Sequence, residues 1–145
     1  MPTLKLSQVI DRPVAQVFDV IADVANLATW NPTIKGSRKV SEGPVGNGTR
    51  FEMTIQGFGN VAQTLEEFER NRRARYVPHF RVLAGGHRFL LTPQGSRTQV
   101  DHELEMTPQG WFRIFTPFMG MMGRKNLSAT AAALKRHVES LPAPM

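Results

Sequence analysis

The feature that most constrains the fold is a change in hydrophobic periodicity that happens twice along the chain. After a first short strand-like stretch, apolar residues recur at helical spacing from Pro13 to about Thr29, alternate with polar residues from Thr33 to about Met106, and then return to helical spacing. Alternation predicts strands that bury one face, whereas a spacing of three to four predicts amphipathic helices. A succession of strands with one apolar face needs a cover, and only the long final helical segment is large enough to supply it.

The alternating region divides into six predicted strands joined by short turns. The predicted strands cover residues 35–41, 51–55, 61–69, 74–83, 87–92 and 97–106. We expect Ala84, Gly85 and Gly86 to form the turn that leads into strand 87–92, because consecutive glycines favour turns.

The phase of predicted strand 61–69 is ambiguous. One interpretation buries Leu65 and Glu67, and the other buries Thr64, Glu66 and Phe68. A β-bulge would reconcile the two. Whichever of the two glutamates faces inward would be a polar group in the interior, and an unpaired carboxylate there would have a raised pKa.

The front of the chain predicts one strand followed by two short helices. Residues 3–10 alternate as a half-buried strand does, and residues 13–22 carry apolar side chains at helical spacing. A second short helix, 24–29, is expected to stop at the Asn31-Pro32 step, because a residue before proline avoids the helical region. This places Trp30 between the short helices and the sheet, where we interpret it as a wall of a pocket.

The final helical pattern runs from about Trp111 to Leu141, and its two halves differ. The second half has one apolar stripe, which comprises Leu127, Ala131, Leu134, Val138 and Leu141. The first half is apolar nearly all round, and Pro117 is expected to kink or break it. Its excess of aromatic and methionine side chains suggests a pocket wall, a mobile entrance, or a surface for a partner or a membrane, flanked by Arg113 and Arg124.

Composition excludes several classes of function. The 145 residues suit a single domain, 1–145, and the absence of cysteine excludes disulfides and thiolate chemistry. The net charge is +6, and the densest cluster of basic residues comprises Arg70, Arg72, Arg73 and Arg75. We interpret this cluster as a solvated hairpin tip. Nucleic-acid binding is not expected, because no basic face with interleaved aromatic residues is visible. With no leader or membrane-spanning pattern, we expect a cytoplasmic protein.

The histidines were considered as metal ligands and as acid–base groups. His79, His87, His102 and His137 lack metal-ligand spacing, so no metal and no other cofactor is expected. His102 shares a face with apolar residues, as a core histidine does, but it would also suit a polar anchor or a general acid–base group. Tyr76, the only tyrosine, is a similar candidate. These two residues are the weak catalytic candidates.

The chain resembles the START-like or SRPBCC superfamily, in particular its polyketide cyclase/dehydrase-like branch. The resemblance covers essentially the whole chain and is carried by IDRPVAQVFDVIADVANLATWNP, GNGTRF, EEFERNRRARY, SRTQVDHELEM and LSATAAALKRHVES. It implies an α+β helix-grip fold. In that fold, a curved seven-stranded antiparallel sheet, with two short helices after its first strand, wraps around the long C-terminal helix and leaves a pocket between them.

The resemblance implies binding of a hydrophobic small molecule, such as a lipid, a polyketide or another cyclic or aliphatic compound. The predicted pocket lining is Trp30, Phe51, Met53, Tyr76, Phe80, Phe89, His102, Leu104, Trp111, Phe115 and Met122. One alternative is a polyketide cyclase/aromatase-like enzyme in which His102 and Tyr76 transfer protons. Another is a protein that acts through the apolar start of the last helix, by interaction or at a membrane surface. A monomer and a homodimer are both compatible with the sequence.

Overall fold

The computed structural model describes residues 3–143, so the ends of the predicted domain, 1–2 and 144–145, lie outside the described residues. The elements in chain order are β1 (Thr3–Ile10), α1 (Val14–Ala22), a first 3₁₀ helix (Leu27–Thr29), β2 (Ile34–Lys39), β3 (Arg50–Ile55), β4 (Gly59–Glu69), β5 (Arg73–Pro78), β6 (Leu83–Gln94), β7 (Arg97–Pro108), a second 3₁₀ helix (Gly110–Phe115) and α2 (Thr116–Ser140).

The strands form one antiparallel sheet in the order β1-β7-β6-β5-β4-β3-β2. Strands β2 to β7 follow one another as a meander, and β1 joins the edge of β7 with Leu6 opposite His102. The α+β helix-grip prediction is therefore confirmed: seven antiparallel strands curve around one long C-terminal helix.

The core lies between the sheet, α1 and the second half of α2. Leu134 and Val138 of α2 are fully buried, as are Val17 and Phe18 of α1. At Gly123 the helix approaches the sheet closely, since a Cβ atom there would lie 2.3 Å from Met106 Cε and 2.8 Å from Leu4 Cδ1. Glycine lets α2 pack directly onto β7 and β1 at this point.

A bulge in β4 resolves the ambiguous phase. The pairing of β4 with β5 shifts between Glu66 and Glu69, and Glu67 has a positive φ of 49°. Leu65 is buried before the bulge, and after it the ring of Phe68 lies 5.2 Å from that of Phe18. The interpretation that buries Leu65 therefore holds before the bulge, and the interpretation that buries Phe68 holds after it.

Neither Glu66, which is exposed, nor Glu67 faces the interior. The Glu67 carboxylate lies 2.7 Å from an Arg88 guanidinium nitrogen, and this hydrogen bond lowers the pKa of Glu67. The expectation of an inward carboxylate with a raised pKa was wrong, because the bulge turns Glu67 towards the arginines of the opposite face.

The turn expected at 84–86 was also wrong. Strand β5 ends at Pro78, which cannot donate a ladder hydrogen bond, and β6 already begins at Leu83. A Cβ atom on Gly85 would lie 2.0 Å from the Glu105 carbonyl oxygen, and one on Gly86 would lie 2.6 Å from that of Tyr76. The two glycines therefore permit close strand packing inside β6 rather than forming a turn.

One of two helix predictions needed a smaller correction. The second short helix is a single 3₁₀ turn, Leu27–Thr29, within the predicted range 24–29. The run predicted to start at Trp111 is divided just before Pro117, as expected, into the second 3₁₀ helix and α2, and Pro117 lies in the first turn of α2, where its missing N–H costs nothing. Within residues 3–143, no helix has both the length and the hydrophobicity that crossing a membrane requires.

Candidate functional site

A cavity of about 280 Å³ lies between the inner face of the sheet, the first 3₁₀ helix and the middle of α2. Most of its wall is apolar. The apolar side chains are those of Leu27, Trp30, Ile34, Met53, Ile55, Phe58, Pro78, Phe80, Leu83, Phe89, Leu104, Met106 and Met122. The backbone of Gly85 and Gly86 also contributes, because these residues have no side chain to fill the space.

The structure brings seven of the eleven predicted lining residues to this cavity. These are Trp30, Met53, Tyr76, Phe80, Phe89, Leu104 and Met122. Phe51 and His102 are fully buried behind the wall. Trp111 and Phe115 lie on the second 3₁₀ helix and are exposed to solvent instead.

An aromatic row crosses the inner face of the sheet beneath the cavity. The rings of Phe51 and Tyr76 lie 5.4 Å apart, those of Tyr76 and Phe89 also 5.4 Å, and those of Phe89 and His102 5.3 Å. Each pair has an edge-to-face geometry, which is favourable for aromatic rings. Four predicted residues thus form one packed layer.

The hydroxyl group of Tyr76 is already engaged. It donates a hydrogen bond to the carbonyl oxygen of Ile21, near the end of α1, where helical carbonyls have no partner within the helix. Burial raises the pKa of Tyr76, because the phenolate would lose its hydration. This tyrosine therefore joins α1 to the sheet, and its hydroxyl proton is not available to a ligand.

His102 is held by Gln8 of β1. The side-chain nitrogen of Gln8 lies 3.0 Å from the carbonyl oxygen of Ala131 and 3.0 Å from Nε2 of His102. One amide hydrogen is directed to each acceptor, so Nε2 of His102 has no proton. The proton of the neutral imidazole is consequently on Nδ1.

His87 completes this chain of hydrogen bonds at the cavity wall. Nδ1 of His102 lies 3.3 Å from Nε2 of His87, so the first nitrogen donates to the second and the His87 proton is on its own Nδ1. Burial lowers the pKa of His102 to about 4, and burial together with the neighbouring His102 lowers that of His87 to about 3. Both rings are neutral at pH 7, and His87, which lines the cavity, carries its N–H on the nitrogen that does not contact His102.

Sequence reasoning missed His87 as a site residue. The predicted turn at 84–86 placed it at the end of a strand, whereas it lies inside β6. A usable signal existed, because His87 precedes Phe89 by two residues and so shares its face. Their rings stack with centroids 4.3 Å apart.

Other polar side chains also line the cavity. Gln63 of β4 and Thr130 of α2 are buried at its wall. Among the described residues of the wall, the buried side-chain group without a hydrogen-bond partner is the indole N–H of Trp30. The one charged residue in the wall is Glu105, and its carboxylate is 3.1 Å from Arg88 and 3.3 Å from Arg75. The cavity therefore combines an apolar wall with uncharged polar groups.

Metal binding has no structural support in the part of the chain that the structure describes. No group of three or more histidine or acidic side chains comes together there in a way that could hold an ion. The prediction that no metal or other cofactor is required stays a prediction.

The fold is shared with solved structures of low sequence identity. A START superfamily protein from Mycobacterium smegmatis is 18% identical, with a TM-score of 0.75 over 97% of this chain and 99% of that one. The Zhui aromatase/cyclase from Streptomyces sp. R1128 is 14% identical, with a TM-score of 0.75 over 95% and 93%. A protein from Thermobifida fusca is 16% identical, with a TM-score of 0.75 over 100% and 98%.

None of the curated proteins matches the sequence. A family model, described as polyketide cyclase/dehydrase and lipid transport, matches residues 1–139. This match covers nearly the whole chain and agrees with the helix-grip fold and its interior cavity. The chain therefore belongs to the polyketide cyclase/dehydrase and lipid transport family.

Proposed function

We propose that the protein binds a compact, neutral, mainly apolar molecule that carries at least one hydrogen-bonding oxygen. The observation that carries this proposal is an apolar cavity whose wall contains the buried and unpaired indole N–H of Trp30, together with the polar side chains of Gln63, Thr130 and His87. Such groups are costly to bury, so native structures rarely leave them unpaired. A ligand oxygen would satisfy them.

Apolar burial supplies most of the binding free energy in this proposal. Each Å² of apolar surface removed from water contributes about 25 cal/mol, so a ligand that buries ~200 Å² gains ~5 kcal/mol before ordering costs. A volume of about 280 Å³ is at the lower end of small-molecule pockets, which span roughly 300–1,000 Å³. This favours a bicyclic or short-chain ligand over a long-chain lipid.

The polar groups determine which ligand chemistry fits. His87 presents an N–H donor, and the amide of Gln63 and the hydroxyl of Thr130 can each donate as well. A ketone or another uncharged oxygen acceptor matches this set. A carboxylate or an ammonium ion does not, because no unpaired charge lines the cavity and burying an isolated ion is expensive.

The test uses two probes of nearly equal shape, the aryl ketone 1-tetralone and its hydrocarbon counterpart tetralin. Gln63→Leu should weaken the binding of 1-tetralone about tenfold, the equivalent of one hydrogen bond of ~1.4 kcal/mol, and should leave tetralin binding within about twofold. Gln94→Leu, on the exposed β6–β7 hairpin, is the matched control. Titration calorimetry measures both affinities.

Two outcomes would contradict the proposal. One is that Gln63→Leu weakens the binding of 1-tetralone and of tetralin equally, which would show that the amide makes no hydrogen bond to the ligand oxygen. The other is the absence of any thermal shift with either probe, combined with native mass spectra that show no retained small molecule.

A second candidate function is favoured by the contact of His87 with His102. In a cyclase reaction, a C–H between two carbonyls gives its proton to water, a C–C bond forms from that carbon to another carbonyl carbon, and water returns a proton to the new alkoxide oxygen. His87 would stabilise the developing charge on that oxygen by a hydrogen bond from its N–H, with His102 holding its tautomer. The aromatase/cyclase from Streptomyces supports this candidate through its shared fold. Incubation of the protein with a linear triketone would distinguish catalysis from binding alone, because only catalysis forms a cyclised product.

A further inference from the structure

The second 3₁₀ helix and the start of α2 expose a contiguous apolar surface, here called the exposed patch. Its members have exposed fractions of 38% to 69%. They are Trp111, Ile114, Phe115, Phe118, Met121 and Met122. Exposed apolar surface of this kind usually marks an interaction site.

The fold does not require these side chains. Contacts between Trp111, Phe112 and Phe115 have ring centroids 5.0 to 6.1 Å apart, so these aromatic rings pack on one another. In α2, Met119 and Gly123 occupy the inward positions and are buried. Apart from Met122, which also borders the cavity, the apolar residues of the exposed patch face away from the core.

The charge around the exposed patch has one sign. Between Glu105 and Glu139 the sequence has five basic residues and no acidic residue. Arg113, Arg124 and Lys125 are exposed within or beside the patch. A shallow surface groove on α2 brings Arg124 and Lys125 together with Met121, so cationic and apolar groups share one helix face.

We propose that the exposed patch docks onto the surface of an anionic lipid bilayer. Tryptophan, phenylalanine and methionine side chains beside arginine and lysine form the pattern by which interfacial helices insert among lipid headgroups. Each basic residue near an anionic membrane surface contributes attraction, and apolar side chains add burial below the headgroups. A bilayer matches both components of the patch at once.

The position of Met122 connects this surface to the cavity. Met122 belongs to the exposed patch and also lines the cavity. A docked protein would therefore hold one wall of its cavity against the lipid phase. Docking itself does not depend on the proposed ligand, so the two proposals can fail separately.

The test uses the full chain and vesicles of phosphatidylcholine and phosphatidylglycerol in equal parts. The chain has two tryptophans, and Trp30 is buried whereas Trp111 is 65% exposed. Fluorescence changes on vesicle addition should therefore report mainly on Trp111. We expect a blue shift of its emission and quenching by brominated lipids, and co-sedimentation of the protein with the vesicles.

Two double variants with the same change in net charge separate local from general electrostatics. Arg113→Glu with Arg124→Glu should weaken binding to the anionic vesicles at least tenfold. Arg70→Glu with Arg72→Glu changes the exposed β4–β5 turn, and it should alter the affinity by no more than about twofold. Circular dichroism confirms that both variants fold.

Three results would overturn the proposal. The first is no co-sedimentation with anionic vesicles, and the second is equal loss of binding in both double variants. The third is a concentration-dependent blue shift of Trp111 without vesicles, accompanied by dimerisation, which would assign the exposed patch to a second copy of the chain.

Discussion

The two halves of α2 belong to one continuous helix, but they expose very different amounts of apolar surface. Leu134 and Val138 in the second half are fully buried, whereas Phe118 and Met121 in the first half are 60% and 68% exposed. Both halves are rich in apolar residues. The comparison shows that hydrophobic content alone does not identify the part of a helix that stabilises the fold.

The halves also differ in how they are joined to the rest of the protein. In the second half, the carbonyl oxygen of Ala131 accepts a hydrogen bond from Gln8, which also contacts His102. The first half instead continues the second 3₁₀ helix, in which the rings of Trp111, Phe112 and Phe115 contact one another. We interpret the second half as the structural half and the first as the interacting half.

The largest expected effect comes from truncating one apolar side chain in each half. Leu134→Ala should reduce the free energy of unfolding by about 2–5 kcal/mol, because it removes contacts from a packed core and leaves a cavity. Phe118→Ala should change it by less than ~0.5 kcal/mol, since the ring is already hydrated. Urea denaturation measures both. Similar losses in the two variants would break the distinction between the halves.

Acid should lower the free energy of unfolding through the protonation of His102, which Gln8 connects to the second half of α2. Its pKa is about 4 in the folded protein, below the ordinary value near 6.5, so the unfolded chain binds the proton first as the pH falls. Between pH 7 and pH 5 this difference should lower the free energy of unfolding by about 2 kcal/mol, and the loss should continue to about pH 4. The nearby Asp101 opposes the shift without reversing it.

Urea denaturation at the two pH values tests this expectation. His102→Asn is the informative variant, because it removes one titrating ring and should reduce the slope over this pH range by about half, the rest coming from His87, whose pKa is also lowered. The His79→Asn variant, at an exposed histidine, serves as the control and should keep the slope of the wild type. An unchanged slope in His102→Asn would refute the assignment.

The smallest effects are expected from two glycines in the first half of α2. Nothing lies within 4 Å of a Cβ atom built on Gly120, so Gly120→Ala should stabilise the protein by about 0.5–1 kcal/mol. Gly123→Ala gains the same helix propensity but crowds Met106 Cε and Leu4 Cδ1, the ends of flexible side chains that must shift, so it should stabilise the protein less than Gly120→Ala does. Thermal denaturation compares them. Equal stabilisation by the two variants would show that the close approach of α2 to the sheet at Gly123 does not constrain the residue there.

Most of the fold could be predicted from the sequence, because periodicity reports directly on which face of an element is buried. The stripe from Leu127 to Val138 and the alternation of β7 were predicted in this way and are confirmed. The errors came from local rules that tertiary packing overrides. Gly85 and Gly86 are typical turn residues, but here they allow the backbones of neighbouring strands to approach closely within the sheet.

The site was harder to predict than the fold. Periodicity places a residue on the inner face, but it does not distinguish a side chain that touches the cavity from one directly behind it, such as Phe51. Hydrogen-bond partners distant in sequence are not visible either. The pairing of Tyr76 with Ile21 and of Gln8 with Ala131 depends on how α1 and α2 dock on the sheet.

The hydrogen bonds that run from Gln8 through His102 to His87 have one direction only. Because Gln8 donates to His102 and His102 donates to His87, neither ring presents a free lone pair at the cavity. An ammonium ion entering the cavity would meet an N–H group where it needs an acceptor, and a neutral amine could not be protonated by rings that are themselves neutral. A single glutamine on the edge strand β1 thus makes His87 a hydrogen-bond donor. Exchanging this glutamine for glutamate, which only accepts, would reverse the direction of both hydrogen bonds and make His87 an acceptor.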